Sequence, residues 1–443
     1  MKQERGGLRP EFVVGWETHP WRHEPDHSAS RRQRLSARGP YEAAVPVVIT
    51  ESAPQVDAGL QAEAEDAVRE ITRFDAEVTA IAERRAARES DGTATELAPL
   101  ASVLLRTESA SSSQIEGVTA GARALALAAI DAKAGPNAKM VTANVTAMRR
   151  AVALADDISV DTILAAHQAL LDRQAWAAPG QLRDQQVWIG SDALSPHTAS
   201  FVPPHHSRIR AALDDLIAFV RRVDLPVLAQ VAIAHAQFET IHPFNDGNGR
   251  TGRTLVHAML RHSGVTRKLT IPVSAGLLTD TSGYFRALTD YREGYIETIV
   301  HQFINASFRA ISNGRILVDD LENVYEDWSE KLPARRGSAA RRLLPHLLNQ
   351  PAVNVAHVES ATGVALSAAQ RAVEQLEEAE ILQRTSGNQR NRVWIAQDVI
   401  DALDAFAERV GRRGFGTHNP DDGHDRPIGG VVLRPSAVRT ITV

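Results

Sequence analysis

His242-Pro243-Phe244-Asn245-Asp246-Gly247-Asn248-Gly249-Arg250-Thr251-Gly252-Arg253 is the stretch that decides how the rest of the chain is read. It sets a histidine, a carboxylate, glycines and two guanidiniums between segments whose apolar residues recur at helical spacing. Gly247 and Gly249 allow positive φ and close backbone approach, so successive amide hydrogens can point into one concavity at the start of the following helix, a cradle for phosphate. Arg250 and Arg253 lie three apart on that helix and can offer planar forks to anionic oxygens on one side. Asp246 is a hard oxygen donor beside those phosphates, which suits Mg²⁺. His242, at the entrance, can take a proton from an incoming hydroxyl near neutral pH. A plain turn needs neither two arginines on one helical face nor a histidine at its mouth, so the stretch reads as a nucleotide site.

Composition sets the bounds around that loop. At 443 residues the chain exceeds a usual single domain, and two or three units are expected. Apolar residues at 43% and charged residues at 23% describe an ordinary globular protein. Cysteine is absent, which excludes disulfides, thiolate metal sites and cysteine catalysis. A formal net charge of −5 gives no global pull towards nucleic acid, so any DNA role must be local. No run of about 18 apolar residues occurs, and the start lacks the apolar region of a secretory signal. The expected location is the cytoplasm, with no membrane partner.

Residues 1–40 read as a flexible arm, with solvated clusters such as Arg31-Arg32-Gln33-Arg34. Structure is expected from near Val56. Over 57–88 the residues Leu60, Ala64, Val68, Ile71, Phe74, Val78 and Ile81 make a helix stripe, and a second helix is predicted from Leu97 to Ile115 with Gly117 as its stop. Glu116 is out of place at that negative helix end unless a cation from elsewhere pairs with it. Further helices are predicted at 137–155, 160–171 and 207–222, and from Pro226 to Thr240. Gln185–Ile189 and Phe201–Pro204 read as a hairpin flap, since Pro203 and Pro204 cannot donate to a central ladder. Neither His205-His206 nor His235, Glu239 and His242 has the spacing of a metal site, and His235 is taken as structural.

Two helical segments follow over Thr279–Phe308, with Tyr284 the aromatic placed to stack on a base. The second continues past an expected break at Ser312-Asn313-Gly314 to its end at Leu332-Pro333. Beyond a basic linker at 335–339, helical stretches at 341–348, 355–363 and 367–379 precede strands at 381–384 and 392–395, the plan of a winged helix-turn-helix. Arg371, Arg384, Arg390 and Arg392 can touch phosphates. Glu374, Glu377, Glu378 and Glu380 surround them, so a protein partner or dimerisation is as open as DNA. Residues 411–443 carry no motif.

The central loop resembles the signature of Fic domain proteins, His-x-Phe-x-Asp/Glu-Gly-Asn-Gly-Arg-x-x-Arg, and matches it at every specified position. Ser112-x-x-x-Glu116-Gly117 resembles the inhibitory motif of the subgroup whose inhibitory helix precedes the core, and Tyr41-Glu42-Ala43-Ala44-Val45-Pro46 is similar to that subgroup's entry segment. The resemblance spans roughly residues 40–400. It implies a mainly α fold: an N-terminal helical region with the inhibitory helix at 41–134, a Fic helical core with a small β-hairpin flap at 135–331, and a C-terminal winged helix at 340–405.

The same resemblance implies protein AMPylation. ATP would be the co-substrate with Mg²⁺ as cofactor, AMP would pass to a Tyr, Thr or Ser hydroxyl of a target protein or of the chain itself, and pyrophosphate would leave. His242 would be the base and Asp246 the Mg²⁺ ligand. Phe244, Asn245, Gly247, Asn248, Gly249, Arg250, Arg253 and Tyr284 would surround ATP, and Val187, Trp188, Ile189 and Gly190 would align the target by strand addition. Ser112, Glu116 and Gly117 would form a brake, with Glu116 taking the γ-phosphate's place on Arg253. A kinase-like Doc relative is disfavoured, because its loop carries Lys where this chain has Gly249. Removal of AMP with Glu116 positioning water, and a nucleotide-sensing DNA-binding regulator acting through the winged helix, stay open. A homodimer is a further partner to consider.

Overall fold

The quoted loop joins two helices, Val227–Ile241 and Asn248–His262, that lie at the centre of the molecule. The computed structural model describes residues 7, 9–21, 38–54, 56–88, 98–132, 134–153, 155–172, 174–190, 195–335, 337–385 and 392–411. In chain order these form β1 (Gly15–His19), β2 (Tyr41–Val45), α1 (Ala58–Arg88), α2 (Ala98–Ile115), α3 (Ala122–Ala129), α4 (Pro136–Ala153), α5 (Val160–Leu171), α6 (Ile209–Val220), α7 (Val227–Ile241), α8 (Asn248–His262), α9 (Val273–Leu278), α10 (Thr281–Arg292) and α11 (Ile296–Lys331). A C-terminal set follows: α12 (Ala339–Asn349), β3 (Ala352–Val353), α13 (Val355–Thr362), α14 (Leu366–Glu378), β4 (Gln383–Arg384), β5 (Trp394–Ile395) and α15 (Gln397–Arg409). The fold is mainly α. Among the described residues no helix is long and apolar enough to cross a membrane.

α7 is buried from Leu228 through Ile241 and α8 from Asn248 through Leu260, as expected for helices without a solvent face. The amphipathic α1 and α11 wrap this pair. Here the sequence expectation fails in one place, because α11 runs unbroken through Ser312-Asn313-Gly314. Gly314 serves close packing: a Cβ there would lie 2.9 Å from the Phe74 ring on α1. Burying that contact offsets the roughly 1 kcal/mol that a mid-helix glycine costs.

The N-terminal segment also departs from expectation. Residues 9–21 are packed structure, with Phe12 buried against Tyr291 at 6.1 Å between ring centroids. β1 pairs antiparallel with β2 from Gly15↔Val45 to His19↔Tyr41. Phe12 and Val14 alternate inward, and the backbone is satisfied by β2 together with Arg9 N to Gly294 O (2.8 Å) and Val14 N to Arg292 O (3.0 Å). The Arg31–Arg34 cluster lies outside the described residues.

The flap is smaller than a two-stranded hairpin. Ile189 and Phe201 form one antiparallel bridge, and Val202 O instead accepts from Ala44 N (3.0 Å), so the flap leans on β2. Prolines at 203 and 204 have no N–H with which to extend the ladder.

In the C-terminal set the short strands pair in the order β3-β5-β4, antiparallel, beside three helices. The loop at 386–391, Arg390 included, and residues 412–443 lie outside the described residues. The connection at 335–339 does not separate two bodies, because α12 and α15 share one apolar core with α2 and α11. Arg106 of α2 donates to Gln350 Oε1 (3.3 Å), and Trp328 of α11 donates to Asp398 Oδ2 (2.8 Å). On the exposed face of α14, Glu374, Glu377 and Glu378 outnumber Arg371.

Candidate active site

α7 ends in a reversal. His242 adopts φ 49 and ψ 61, and Gly247, at φ 77 and ψ 10, starts α8. The loop between them is held by its own side chains. Asn248 accepts from Phe244 N and donates to Phe244 O, both at 2.9 Å. Phe244 is buried and stacks on His167 at 3.7 Å between ring centroids. His167 accepts from Gly180 N at Nδ1 (3.0 Å), which fixes its Nε2–H as donor to Asp246 O (3.0 Å). Burial pushes this imidazole down to about 4, so it serves as a neutral strut.

These contacts show how three residues expected near the nucleotide are engaged within the protein. The Phe244 ring and the Asn248 amide are engaged in closing the loop, and the backbone of 247–249 lies at the start of α8. Tyr284 is 1% exposed, and its hydroxyl shares a 2.7 Å hydrogen bond with His235 Nε2, so it is no platform for a base. Aromatic spacing on a helix cannot distinguish a core ring from a stacking one. Asn245 accepts from Gln185 Nε2 (3.3 Å), a bond to the foot of the flap.

On the anion side, Arg253 is 2% exposed. Its Nε donates to Ser112 Oγ (2.9 Å), and its Nη2 donates to Ser112 O and Glu116 Oε1, both at 2.8 Å. Burial works against its charge, but Glu116, Tyr284 and Glu239 outweigh that and hold it firmly cationic. The Glu116 carboxylate lies directly over Gly249, where any Cβ would collide with Oε1. Gly117, at φ 77, turns the chain away at once. The register of α2 is set by buried polar anchors. Asn144 of α4 donates to Ser109 O (2.9 Å) and Ser113 Oγ (3.2 Å), and the fully buried Glu108 accepts from His257 Nε2 and Ser274 N, both at 2.7 Å.

Arg250 reaches Asp246 Oδ2 at 3.4 Å, while its buried Nε has no partner. An orphaned donor in a guanidinium, a carboxylate of the chain already standing over Gly249 as an anion would, and the part-exposed carboxylate of Asp246 together fit a polyphosphate with a divalent ion. Such an ion would rest on Asp246 and phosphate oxygens, as Mg²⁺ commonly does.

The His242 ring is largely buried, with Nδ1 at 3.8 Å from Glu239 Oε2. Burial, then the charges of Arg183 and Arg292, push it down to about 3, so it rests as the neutral imidazole and the same surroundings weaken it as a base. Burial and then Glu116 raise Glu239 to about 7. On the flap, Trp188 packs edge-on against Trp21 at 5.7 Å, and Val187, Ile189 and Gly190 are half-buried. Two participants escape sequence reading. His167 sits on a helix where a lone histidine carries no signal, and Arg183 is one arginine in an irregular polar stretch.

Residues 157–260 match the Fic/DOC family. Similar relatives include protein adenylyltransferase fic-1 of Caenorhabditis elegans, 28% identical over 160 residues, which are 34% of this chain and 30% of that protein. Another is protein adenylyltransferase Fic of Nematostella vectensis, 26% identical over 156 residues, 35% of this chain and 34% of that protein. The chain thus spans about a third of the length of these curated relatives. Among solved structures, a Fic family protein from Desulfovibrio desulfuricans is 19% identical with a TM-score of 0.44, covering 78% of this chain and 98% of that one.

Proposed function

We propose that this chain, which carries a Fic domain over residues 157–260, transfers AMP from ATP to a Tyr, Thr or Ser hydroxyl of a protein and is held off by Glu116. The observation that carries the proposal is the Glu116 carboxylate bonded to Arg253 within the Gly249 cradle. A cationic site built for phosphate is filled by a carboxylate of the same chain.

The acceptor hydroxyl lies along 187–190 and loses its proton to neutral His242 as its oxygen attacks the α-phosphorus. The bond from that phosphorus to the bridging oxygen breaks, and pyrophosphate leaves. Amides of 247–249 at the start of α8 face the developing charge, and Arg250 clamps the chain of phosphates. Mg²⁺, held by Asp246, would supply charge neutralisation across the phosphates. Arg253 is the partner for the γ-phosphate, and with Glu116 on it ATP binds without that contact and the α-phosphorus is misplaced. The acidic face of α14 favours a protein partner over DNA for the C-terminal set.

The test is transfer of α-labelled AMP by Glu116→Gly to the chain itself or to a lysate. A rise in protein-bound label supports the proposal, and label that persists in a Glu116→Gly/His242→Ala protein removes His242 as the base. AMP release from a labelled target by the wild type, lost in Glu116→Gly, would mark the reverse reaction instead.

A further inference from the structure

The flap that presents the acceptor and the histidine that deprotonates it are joined most extensively through one side chain. Arg183 is 3% exposed. Its Nε donates to His242 O (2.8 Å), Nη1 to Gln185 O (2.9 Å) and Nη2 to Pro204 O (2.6 Å), while its backbone N donates to Pro243 O (3.0 Å). Gln185 and Pro204 are the two feet of the flap, whose only cross-strand bridge among the described residues is Ile189–Phe201. These side-chain acceptors are all backbone carbonyls. A buried guanidinium answered by neutral carbonyls is a costly way to secure a turn that neutral groups could hold. The planar fork does what a neutral side chain cannot, because it ties the loop carbonyls of His242 and, at 3.5 Å, Ile241 to those of Gln185 and Pro204 at once.

A second arginine closes the arrangement from the other side. Arg292 of α10 lies 3.7 Å over the Phe201 ring on the flap, and its guanidinium reaches Thr240 Oγ1 and Glu239 O, both at 3.4 Å, in the turn that ends at His242. The charged groups facing the His242 ring are therefore Arg183 from the flap's foot, Arg292 from α10 and Glu239 from α7.

We propose that Arg183 is a positioning residue that fixes the register between the acceptor flap and His242, an inference that rests on the AMP-transfer function proposed above. Arg183 touches neither nucleotide nor acceptor. It acts by holding the base's own carbonyl and both ends of the flap in one geometry, so that a hydroxyl carried on the flap meets the imidazole in line.

The experiment places Arg183→Lys and Arg183→Gln in the Glu116→Gly protein. Lysine keeps the charge and loses the fork, whereas glutamine loses both. Each variant is expected to lower kcat/KM for the protein acceptor by roughly 10- to 100-fold, the cost of misplacing reacting groups by about an ångström. The KM for MgATP should stay within about two-fold. Amide hydrogen exchange at Ile189 and Phe201 should quicken in both variants. The acid limb of the pH–rate profile should move to higher pH in Arg183→Gln alone, because only that change removes a positive neighbour from His242. Unchanged acceptor kinetics with unchanged exchange would overturn the proposal. So would loss of MgATP binding in both variants, which would make Arg183 a determinant of the fold. If the Glu116→Gly parent transfers no AMP, the proposed function fails by itself, and the exchange rates at Ile189 and Phe201 alone decide whether Arg183 ties the flap to the loop.

Discussion

Replacing Ser112 by alanine removes one of the three hydrogen bonds that Ser112 and Glu116 offer to Arg253 and leaves the bonds to Ser112 O and Glu116 Oε1 in place. Ser112 is fully buried, so no water replaces the lost hydroxyl. A hydrogen bond to a charged group contributes roughly 1.5–3 kcal/mol. Loss of that amount from the docked state alone shifts the ratio of docked to released Glu116 by roughly 10- to 150-fold. Ser112→Ala should therefore raise AMP transfer above wild type yet below Glu116→Gly, which removes the ion pair itself. Steady-state transfer of α-labelled AMP at saturating ATP measures the three proteins side by side. A Ser112→Ala/Glu116→Gly double variant separates the brake from catalysis. If Ser112 acts through the docked state only, the double variant matches Glu116→Gly. Resting-level transfer in Ser112→Ala, or a double variant well below Glu116→Gly, would refute the reasoning, the latter by showing that the hydroxyl also orients Arg253 for the nucleotide.

Other consequences follow from the same contacts. Asn144→Ala, which frees α2 from α4 at Ser109 and Ser113, should also raise transfer while lowering the melting temperature, by the loss of about two buried hydrogen bonds. Gly249→Ala should break the Glu116–Arg253 pair, since its Cβ would collide with Glu116 Oε1 and crowd Arg253 Nη1 at 2.9 Å, and an added Glu116→Gly change should lower the melting temperature less in Gly249→Ala than in the wild type. Gly276→Ala should destabilise the chain by roughly 1–3 kcal/mol in chemical denaturation, because its Cβ would collide with the Ala306 backbone, which cannot swing aside. His167, His235 and His242 are depressed from 6.5 to about 4, 3 and 3, so the unfolded chain binds more protons and stability falls as pH drops from about 6.5 towards 4. Glu239, raised from 4.5 to about 7, runs the opposite way and costs stability as pH rises through that window. Three groups against one predict a net fall on acidification, with a shallower slope of melting temperature against pH in His242→Asn.

The helices of the core are legible because their apolar residues recur at three and four, and the loop because its residue types suit an anion, although they choose no single phosphate chemistry. The meeting of Glu116 with Arg253 is legible only through the resemblance of Ser112-x-x-x-Glu116-Gly117 to an inhibitory motif, since the negative helix end by itself asks for some cation and names none. What hides from the sequence is tertiary. Gly314 reads as a stop and is a close approach, because only Phe74, brought from far upstream, explains it. Phe12 and Val14 read as part of a polar arm because the partner strand begins beyond residue 40. Asn248 and Phe244 look like ligand contacts until the loop's own hydrogen bonds and the His167 ring claim them. Arg183 has no periodicity or motif to mark it, and its carbonyl acceptors at Pro204, Ile241 and His242 reach it only in the fold.

The central claim is that Glu116 occupies a phosphate's place on Arg253 and that its removal opens AMP transfer by His242. The most direct measurement is mass spectrometry of a lysate incubated with MgATP and either wild type, Glu116→Gly or Glu116→Gly/His242→Ala. AMP adducts on Tyr, Thr or Ser residues that are abundant with Glu116→Gly and at background with the other two are the predicted result. Equal adduct levels in wild type and Glu116→Gly, or adducts that survive loss of His242, would contradict it.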